Sequence, residues 1–225
     1  MMFFDYLPLM SSALLMTLAL AVCSLAFGLV LAIIFVVLED TKWRTFNKIF
    51  SIIVALLRGL PEILVVFLIY FGLPELIQMI SGDYLELSAF SSGIIALGII
   101  FASYACQTLR GAVKAIPRGQ WESAQALGLS KGYTFIHVIL PQVWRHALPG
   151  LSNQWLVLLK DTALVSLIGV TDLTRQAQLI TTSIHQPFTW YVVVGLIYLL
   201  ITLFSQAIIK RLERYFTRFD KHCYE

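Results

Sequence analysis

The sequence predicts an all-α, polytopic membrane protein, and two observations carry that prediction. Of its 225 residues, 59% are hydrophobic and only 13% are charged, which is about half the charged share of an ordinary soluble domain. The apolar residues also form uncharged blocks longer than the roughly 20 residues that cross a bilayer as a helix. A water-soluble globular fold would leave those blocks exposed, so the composition excludes that class.

Five transmembrane helices are predicted within a single transmembrane domain over residues 1–225. They lie at about 10–38, 49–73, 88–109, 150–171 and 188–209. The first lacks the positive amino-terminal region and the cleavage site of a signal peptide, so we interpret it as a span. The second and fourth are apolar except for a few charged residues, whose presence inside a span needs an explanation of its own.

The positions of lysine and arginine predict the orientation, because positively charged loops stay in the cytoplasm. These residues are concentrated at 42–48, at 110–145 and at 210–221, whereas the opposite loops are mainly acidic and carry the cation Arg175. We therefore expect an N-out, C-in topology with a cytoplasmic loop at about 110–149. The net charge of +3 follows from this asymmetry and does not point to nucleic acid.

No enzymatic or metal chemistry is expected. The three cysteines, Cys23, Cys106 and Cys223, have neither the spacing of a zinc site nor that of a disulfide framework, and the four histidines are scattered. No glycine-rich phosphate-binding loop of the GxxxxGK[ST] type is present, so we do not expect this chain to hydrolyse ATP. We accordingly predict no catalytic residue, no metal and no cofactor.

The long cytoplasmic loop is patterned as a helix-turn-helix. Gly128 is placed as the left-handed residue that ends the first helix, and Ser130 is placed to cap the second. Small side chains at Ser123, Ala124 and Ala126 give the turn a slim profile that fits a groove on another protein. The sequence pattern supports equally well a hairpin that packs only on itself and contacts no other protein.

The same loop contains a spaced motif that begins at Glu122-Ser123-Ala124. Three residues separate Ala124 from Gly128, nine separate Gly128 from Val138, and one separates Val138 from Leu140-Pro141. This spacing resembles the EAA loop of ATP-binding-cassette (ABC) importer permeases, with serine for one alanine and valine for isoleucine. The segments 57–62 and 159–168 are similar to polar amino acid permeases, so the resemblance covers nearly the whole chain.

The resemblance implies the MetI-like fold of type I ABC importer permeases and a place in the bacterial inner membrane. It also implies transport of polar amino acids, with arginine placed first and histidine, lysine and glutamine as alternatives. The partners it implies are a cytoplasmic ABC ATPase dimer, a periplasmic amino-acid-binding protein and a second permease subunit, identical or homologous. The residues expected to couple to the ATPase are Glu122, Ser123, Ala124, Ala126 and Gly128.

Charged residues in the second and fourth spans are the candidate substrate contacts, because an ionised group near the bilayer centre is costly without a partner or a task. Asp161 and Glu62 can each receive a cationic group, and Lys160 lies beside Asp161 near the predicted midplane. Arg58 and Glu62 are four residues apart, which also permits an internal ion pair on one helical face. For Lys160 and Asp161 the alternative is a structural pair with a neighbouring helix or with the partner subunit.

Two other classes of protein compete with a permease. A non-transporting scaffold of the inner membrane has little use for acidic residues inside its spans, and a membrane-embedded enzyme lacks any recognisable catalytic spacing here. The basic tail at 210–221 is expected to contact anionic membrane lipid.

Overall fold

The computed structural model describes residues 5–39, 44–83 and 85–217, and every regular element in those ranges is helical. The cationic positions Lys42, Arg218 and Lys221, and also Cys223, lie outside the described residues. The helices are α1 (Leu7–Glu39), α2 (Arg44–Gly59), α3 (Glu62–Ser81), α4 (Ala89–Ala115), α5 (Arg118–Ala126), α6 (Lys131–Thr134), α7 (Leu140–Asp161), α8 (Leu173–Ile184) and α9 (Pro187–Thr217). The all-α prediction is confirmed.

Three short segments depart from α-helical geometry. One π-helical turn, Leu68–Gly72, lies within α3, and a second, Phe135–Ile139, joins α6 to α7. A 3₁₀ helix, Thr162–Ile168, continues α7 and ends at Gly169, whose φ of 97° is left-handed. The α-helix therefore changes its geometry directly after Asp161, which is where a candidate substrate contact was expected.

Among the described helices, four are long and apolar enough to cross a membrane, namely α1, α3, α4 and α9. The predicted span 49–73 needs correction, because it combines the end of α2 with the first part of α3. The helix breaks at Leu60 and Pro61, since proline lacks an N–H and disfavours the α conformation of the residue before it. The apolar helix that is long enough to span begins only at Glu62.

The predicted span 150–171 also has different bounds in the structure. Its helix begins at Leu140 and not near Leu151. The depth of Lys160 was predicted by counting residues from a helix start near Leu151, so its position at the midplane no longer follows. Two adjacent charges and several polar side chains lower the hydropathy of this segment. For this reason it is not among the four helices, within the described residues, that are apolar enough to span a membrane. Five spans with an N-out, C-in orientation remain a prediction.

The core is built on close packing between α1 and α4, where glycines take the place of larger side chains. A Cβ atom built on Gly28 would lie 2.8 Å from the Gly98 carbonyl oxygen, and one built on Gly98 would overlap the Phe27 ring. Small residues allow two spanning helices to approach this closely, and dispersion then holds them together. Leu20 and Leu97 are fully buried along the same contact.

Replacing Gly28 with valine is expected to lower the amount of folded protein in the membrane several-fold. The new side chain meets backbone at Gly98 and cannot be accommodated by a rotamer change, and overpacking of this kind costs about 1–3 kcal/mol. Gly195→Val is the matched control, because a Cβ at Gly195 in α9 meets nothing within 4 Å. Quantitative immunoblotting of isolated membranes should show loss for the first variant and normal abundance for the second; equal abundance would contradict the packing.

Helix α8 is anchored by a buried carboxylate. Asp172 caps its first turn by accepting hydrogen bonds from the backbone N–H of Thr174 at 3.2 Å and of Arg175 at 2.9 Å. Burial raises the pKa of the Asp172 carboxyl, and these hydrogen bonds act in the opposite direction. The Tyr198 hydroxyl of α9 donates to the same carboxylate at 3.5 Å, so Asp172 serves the structure and is not available to a ligand.

Candidate functional site

Two acidic side chains converge on one cavity between α3, α4 and α7. The cavity has a volume of about 260 Å³ and is lined by Glu62, Leu97, Ile100, Phe101, Tyr104, Asn153, Gln154, Val157, Leu158 and Asp161. Both carboxylates are half-buried. The two groups are near enough for their like charges to repel each other. The cavity therefore brings two acidic groups into one space.

The chain geometry explains why these two carboxylates meet. Glu62 is the first residue of α3, directly after the break at Pro61, and Asp161 is the last residue of α7, where the 3₁₀ helix begins. Each carboxylate thus lies where a helix starts or ends, in the interior of the protein. The sequence predicted both residues as substrate contacts, and in the structure both line the same cavity.

Neutral polar groups complete the lining of this cavity. Gln154 donates from its Nε2 atom to the Thr108 hydroxyl at 2.7 Å, while its Oε1 atom is buried and has no partner in the described part of the chain. The Tyr104 hydroxyl donates to the backbone carbonyl of Arg58 at 3.2 Å. The sequence analysis missed Gln154, although Gln154 precedes Asp161 by seven residues, about two helical turns, and therefore lies on the same helical face.

Arg58 and Glu62 do not form the predicted ion pair. The i, i+4 rule assumes one continuous helix, and here α2 ends at Gly59 before α3 begins at Glu62. Arg58 instead lines a different cavity of about 210 Å³, which also contains Glu39, Cys106 and Arg110. Glu39 and Arg110 form an ion pair across that second cavity. Arg58 is thus absent from the cavity that holds the two carboxylates.

Lys160 also lies outside the acidic cavity. Its side chain is exposed and is not part of the lining, whereas Asp161 is half-buried and faces the interior. Successive residues on a helix point about 100° apart, which separates the two neighbours. The predicted substrate contact for Lys160 therefore has no support in the geometry.

The structure has the predicted helix-turn-helix, and its position outside the membrane stays a prediction. At the end of α5 the N–H of Leu129 donates to the Ala124 carbonyl at 3.1 Å, and the N–H of Gly128 donates to the Gln125 carbonyl at 2.9 Å. This pair of bonds is a Schellman motif, and Gly128 has the left-handed φ of 72° that the motif requires. The Ser130 hydroxyl accepts from the N–H of Tyr133 at 3.4 Å and caps α6.

One face of this hairpin packs on its own protein and the other is exposed. Ala124 is 4% exposed, so its predicted contact with another protein needs correction: it lies inside the hairpin. Trp121 stacks on Phe135 with ring centroids 6.4 Å apart, which fixes α5 against the following turn. The exposed face carries Glu122, Ser123, Ala126, Leu127 and Gly128. Leu127, which the sequence analysis missed, is 79% exposed at the tip.

Comparison with known proteins places this fold and this hairpin in one family. Residues 41–218 match the model of the "Binding-protein-dependent transport system inner membrane component" family. The arginine ABC transporter permease of Haemophilus influenzae is 64% identical to this chain, over 98% of this chain and 99% of its own length. The histidine/lysine/arginine/ornithine permease of Salmonella typhimurium is 37% identical, over 88% and 89% of the two chains.

The solved structures agree with the sequence relatives. An amino acid ABC transporter crystallised with histidines superposes with a TM-score of 0.84 at 31% identity, covering 95% of this chain and 96% of the other. A methionine ABC transporter has the same fold, with a TM-score of 0.76 at 20% identity, covering 95% and 98% of the two chains. The chain therefore belongs to the family of inner-membrane components of binding-protein-dependent transport systems.

Proposed function

We propose that this chain is the membrane-spanning permease subunit of an ATP-driven importer for polar amino acids, with arginine as its substrate. The assignment of a cationic substrate rests on one observation: Glu62 and Asp161 line the same cavity between helices of the bundle. The relatives named as arginine and histidine/lysine/arginine/ornithine permeases support the same substrate class. The chain is a permease and not an enzyme, so ATP hydrolysis belongs to a separate subunit.

The chemistry of the cavity suits a cationic side chain. Two half-buried carboxylates repel each other when no ligand is present, and a guanidinium group between them would relieve that repulsion with charge-assisted hydrogen bonds. The unpartnered Oε1 atom of Gln154 is an additional acceptor for an N–H donor. The volume of about 260 Å³ lies just below the roughly 300–1,000 Å³ of drug-sized pockets, as suits one amino acid.

The partners of the permease follow from its family. An ABC ATPase supplies the energy and a binding protein delivers the amino acid. We further propose that the ATPase dimer docks on the exposed hairpin face of Glu122, Ser123, Ala126, Leu127 and Gly128, and that a second permease subunit, identical or homologous, completes the pathway.

Helix α7 provides a physical link between the proposed docking face and the acidic cavity. The hairpin leads through the turn Phe135–Ile139 directly into α7, and Asp161 is the last residue of that helix. Its 22 residues span about 33 Å at 1.5 Å per residue. Movement of the hairpin with the ATPase would therefore shift Asp161 relative to Glu62, which lies on a different helix, and would change the affinity for the bound cation.

Uptake by the reconstituted transporter tests this function. The permease is assembled with its ATPase and binding protein in proteoliposomes, and uptake of radiolabelled arginine is followed with and without ATP. We expect ATP-dependent uptake that excess lysine inhibits more strongly than excess glutamine, because only lysine presents a cationic side chain. Absence of ATP-dependent uptake of any amino acid would favour a scaffold, and stronger inhibition by glutamine would contradict a cationic substrate.

A further inference from the structure

The cavity that contains Arg58 lies between α1, α2 and α4, and the proposed transport mechanism does not yet use it. Its volume is about 210 Å³. The charged side chains of its lining are Glu39 from the end of α1, Arg58 from the last turn of α2, and Arg110 and Lys114 from the end of α4. Glu39 and Arg110 form an ion pair with each other. Arg58 and Lys114 therefore give this basic cavity an excess of positive charge.

The guanidinium group of Arg58 lacks an anionic partner within the described residues. Its Nε atom is buried and makes no hydrogen bond there. Glu39 is already paired with Arg110, and the described lining of the cavity contains no other carboxylate. A buried donor on a charged group is costly to leave unsatisfied. Arg58 is therefore available to an anion that enters the basic cavity.

The basic cavity adjoins the acidic cavity. One face of α4 lines both, with Ile100 and Tyr104 at the acidic cavity and Gln107 and Gly111 at the basic one. Tyr104 and Gln107 are three residues apart, which is about 4.5 Å along a helix axis. The Tyr104 hydroxyl also donates to the backbone carbonyl of Arg58 at 3.2 Å. The two oppositely charged spaces thus follow each other along α4, about one helical turn apart.

We propose that the basic cavity binds the α-carboxylate of the amino acid whose side-chain cation is held in the acidic cavity. Arg58 is the main contact, and the exposed Lys114 lies at the rim. The inference rests on the proposed function, because the substrate supplies both charges. An extended arginine separates its guanidinium from its carboxylate by roughly 7 Å, which is longer than the step from Tyr104 to Gln107. A guanidinium binds a carboxylate with two parallel hydrogen bonds, so Arg58 suits this group.

A cation beside the acidic cavity also removes an electrostatic conflict. The two carboxylates of that cavity attract the guanidinium and the ammonium group of arginine, but they repel its α-carboxylate. Without a compensating cation, a ligand that has both positive groups and no carboxylate would bind more tightly than arginine. With Arg58 in contact with the carboxylate, arginine is the tighter ligand. The order of these two affinities therefore reports on the basic cavity.

Equilibrium binding to the full-length permease–ATPase assembly, without the binding protein, tests this carboxylate site. Radiolabelled arginine is compared with agmatine, which keeps both cationic groups of arginine and lacks only the carboxylate. Arg58→Gln removes the main contact, and Lys114→Gln removes the exposed charge at the rim. Lys48→Gln is the matched control, because Lys48 is exposed on α2 and does not line the cavity. The yield of monodisperse assembly is measured for every variant.

We expect the wild type and Lys48→Gln to bind arginine at least about fivefold more tightly than agmatine. Arg58→Gln should lose roughly 10- to 100-fold in arginine affinity and none in agmatine affinity, so that agmatine becomes the tighter ligand. Lys114→Gln should lose about threefold for arginine alone, as expected for an exposed charge. This second variant keeps the test valid if Arg58→Gln assembles poorly.

Tighter binding of agmatine than of arginine by the wild type would overturn the carboxylate site. An unchanged ratio of the two affinities in both Arg58→Gln and Lys114→Gln would overturn it as well. Equal loss of both ligands in Arg58→Gln would assign Arg58 to the fold and not to the carboxylate. A wild type that prefers arginine to citrulline but not to agmatine would remove only the basic site, whereas loss of the preference over citrulline would contradict the proposed function itself.

Discussion

Asp161→Asn is expected to lower arginine uptake roughly 10- to 100-fold while leaving the protein at normal abundance in the membrane. The proposed site holds the guanidinium between Asp161 and Glu62, and a charge-assisted hydrogen bond is worth about 1.5–3 kcal/mol. Asparagine keeps the shape of the side chain and removes only its charge. Uptake of radiolabelled arginine and the amount of permease in the membrane are measured on the same preparation.

Lys160→Gln is the matched control for Asp161→Asn, because it removes a charge from the adjacent residue, which lies outside the cavity. It should leave uptake within about twofold of the wild type, because Lys160 does not line the cavity. Glu62→Gln should resemble Asp161→Asn. If Asp161 instead serves a structural pair, abundance should fall together with uptake of every substrate. Normal abundance with normal arginine uptake would remove Asp161 from the site.

Glu122→Lys is expected to reduce substrate-stimulated ATP hydrolysis by at least about tenfold. Glu122 is exposed on the free face of the hairpin, and placing the wrong charge in a docking interface can cost several kcal/mol. The helix itself should tolerate the change, because Glu122 makes no contact that the Schellman turn or the Trp121–Phe135 stack requires. ATP hydrolysis and co-purification of the ATPase are the two measurements.

Glu86→Lys is the control for Glu122→Lys, because it reverses an exposed charge outside the hairpin. It should leave hydrolysis and co-purification unchanged. A cysteine at position 126, in place of Ala126, adds an independent readout: a bulky thiol reagent should label it in the isolated permease and not in the complex with the ATPase. Free labelling in the complex would show that the ATPase does not cover this face.

Local features of the chain could be predicted from the sequence. The left-handed Gly128 and the cap at Ser130 each depend on the chemistry of one residue and its neighbours, and the structure has both. Apolar blocks such as the first and third predicted spans correspond to α1 and α4, because an uncharged run of that length has few alternatives to a spanning helix.

Features that depend on how helices meet could not be predicted in this way. The pair Arg58–Glu62 was expected from spacing alone, and the break between α2 and α3 invalidates that spacing. Gln154 and Tyr104 belong to the acidic cavity only because α4 packs against α7. Ala124 looked like a docking residue because it is small, although its size in fact lets it be buried inside the hairpin. Each of these outcomes required the tertiary arrangement.

In the proposed function, the permease itself recognises positive charge through Glu62 and Asp161. The most direct test is equilibrium binding to the permease–ATPase assembly without the binding protein, so that no other subunit selects the amino acid. Radiolabelled arginine is compared with citrulline, in which a neutral ureido group replaces the guanidinium. We expect at least about tenfold tighter binding of arginine, and loss of that preference in Glu62→Gln/Asp161→Asn. Equal affinity of the wild type for arginine and citrulline would contradict the account.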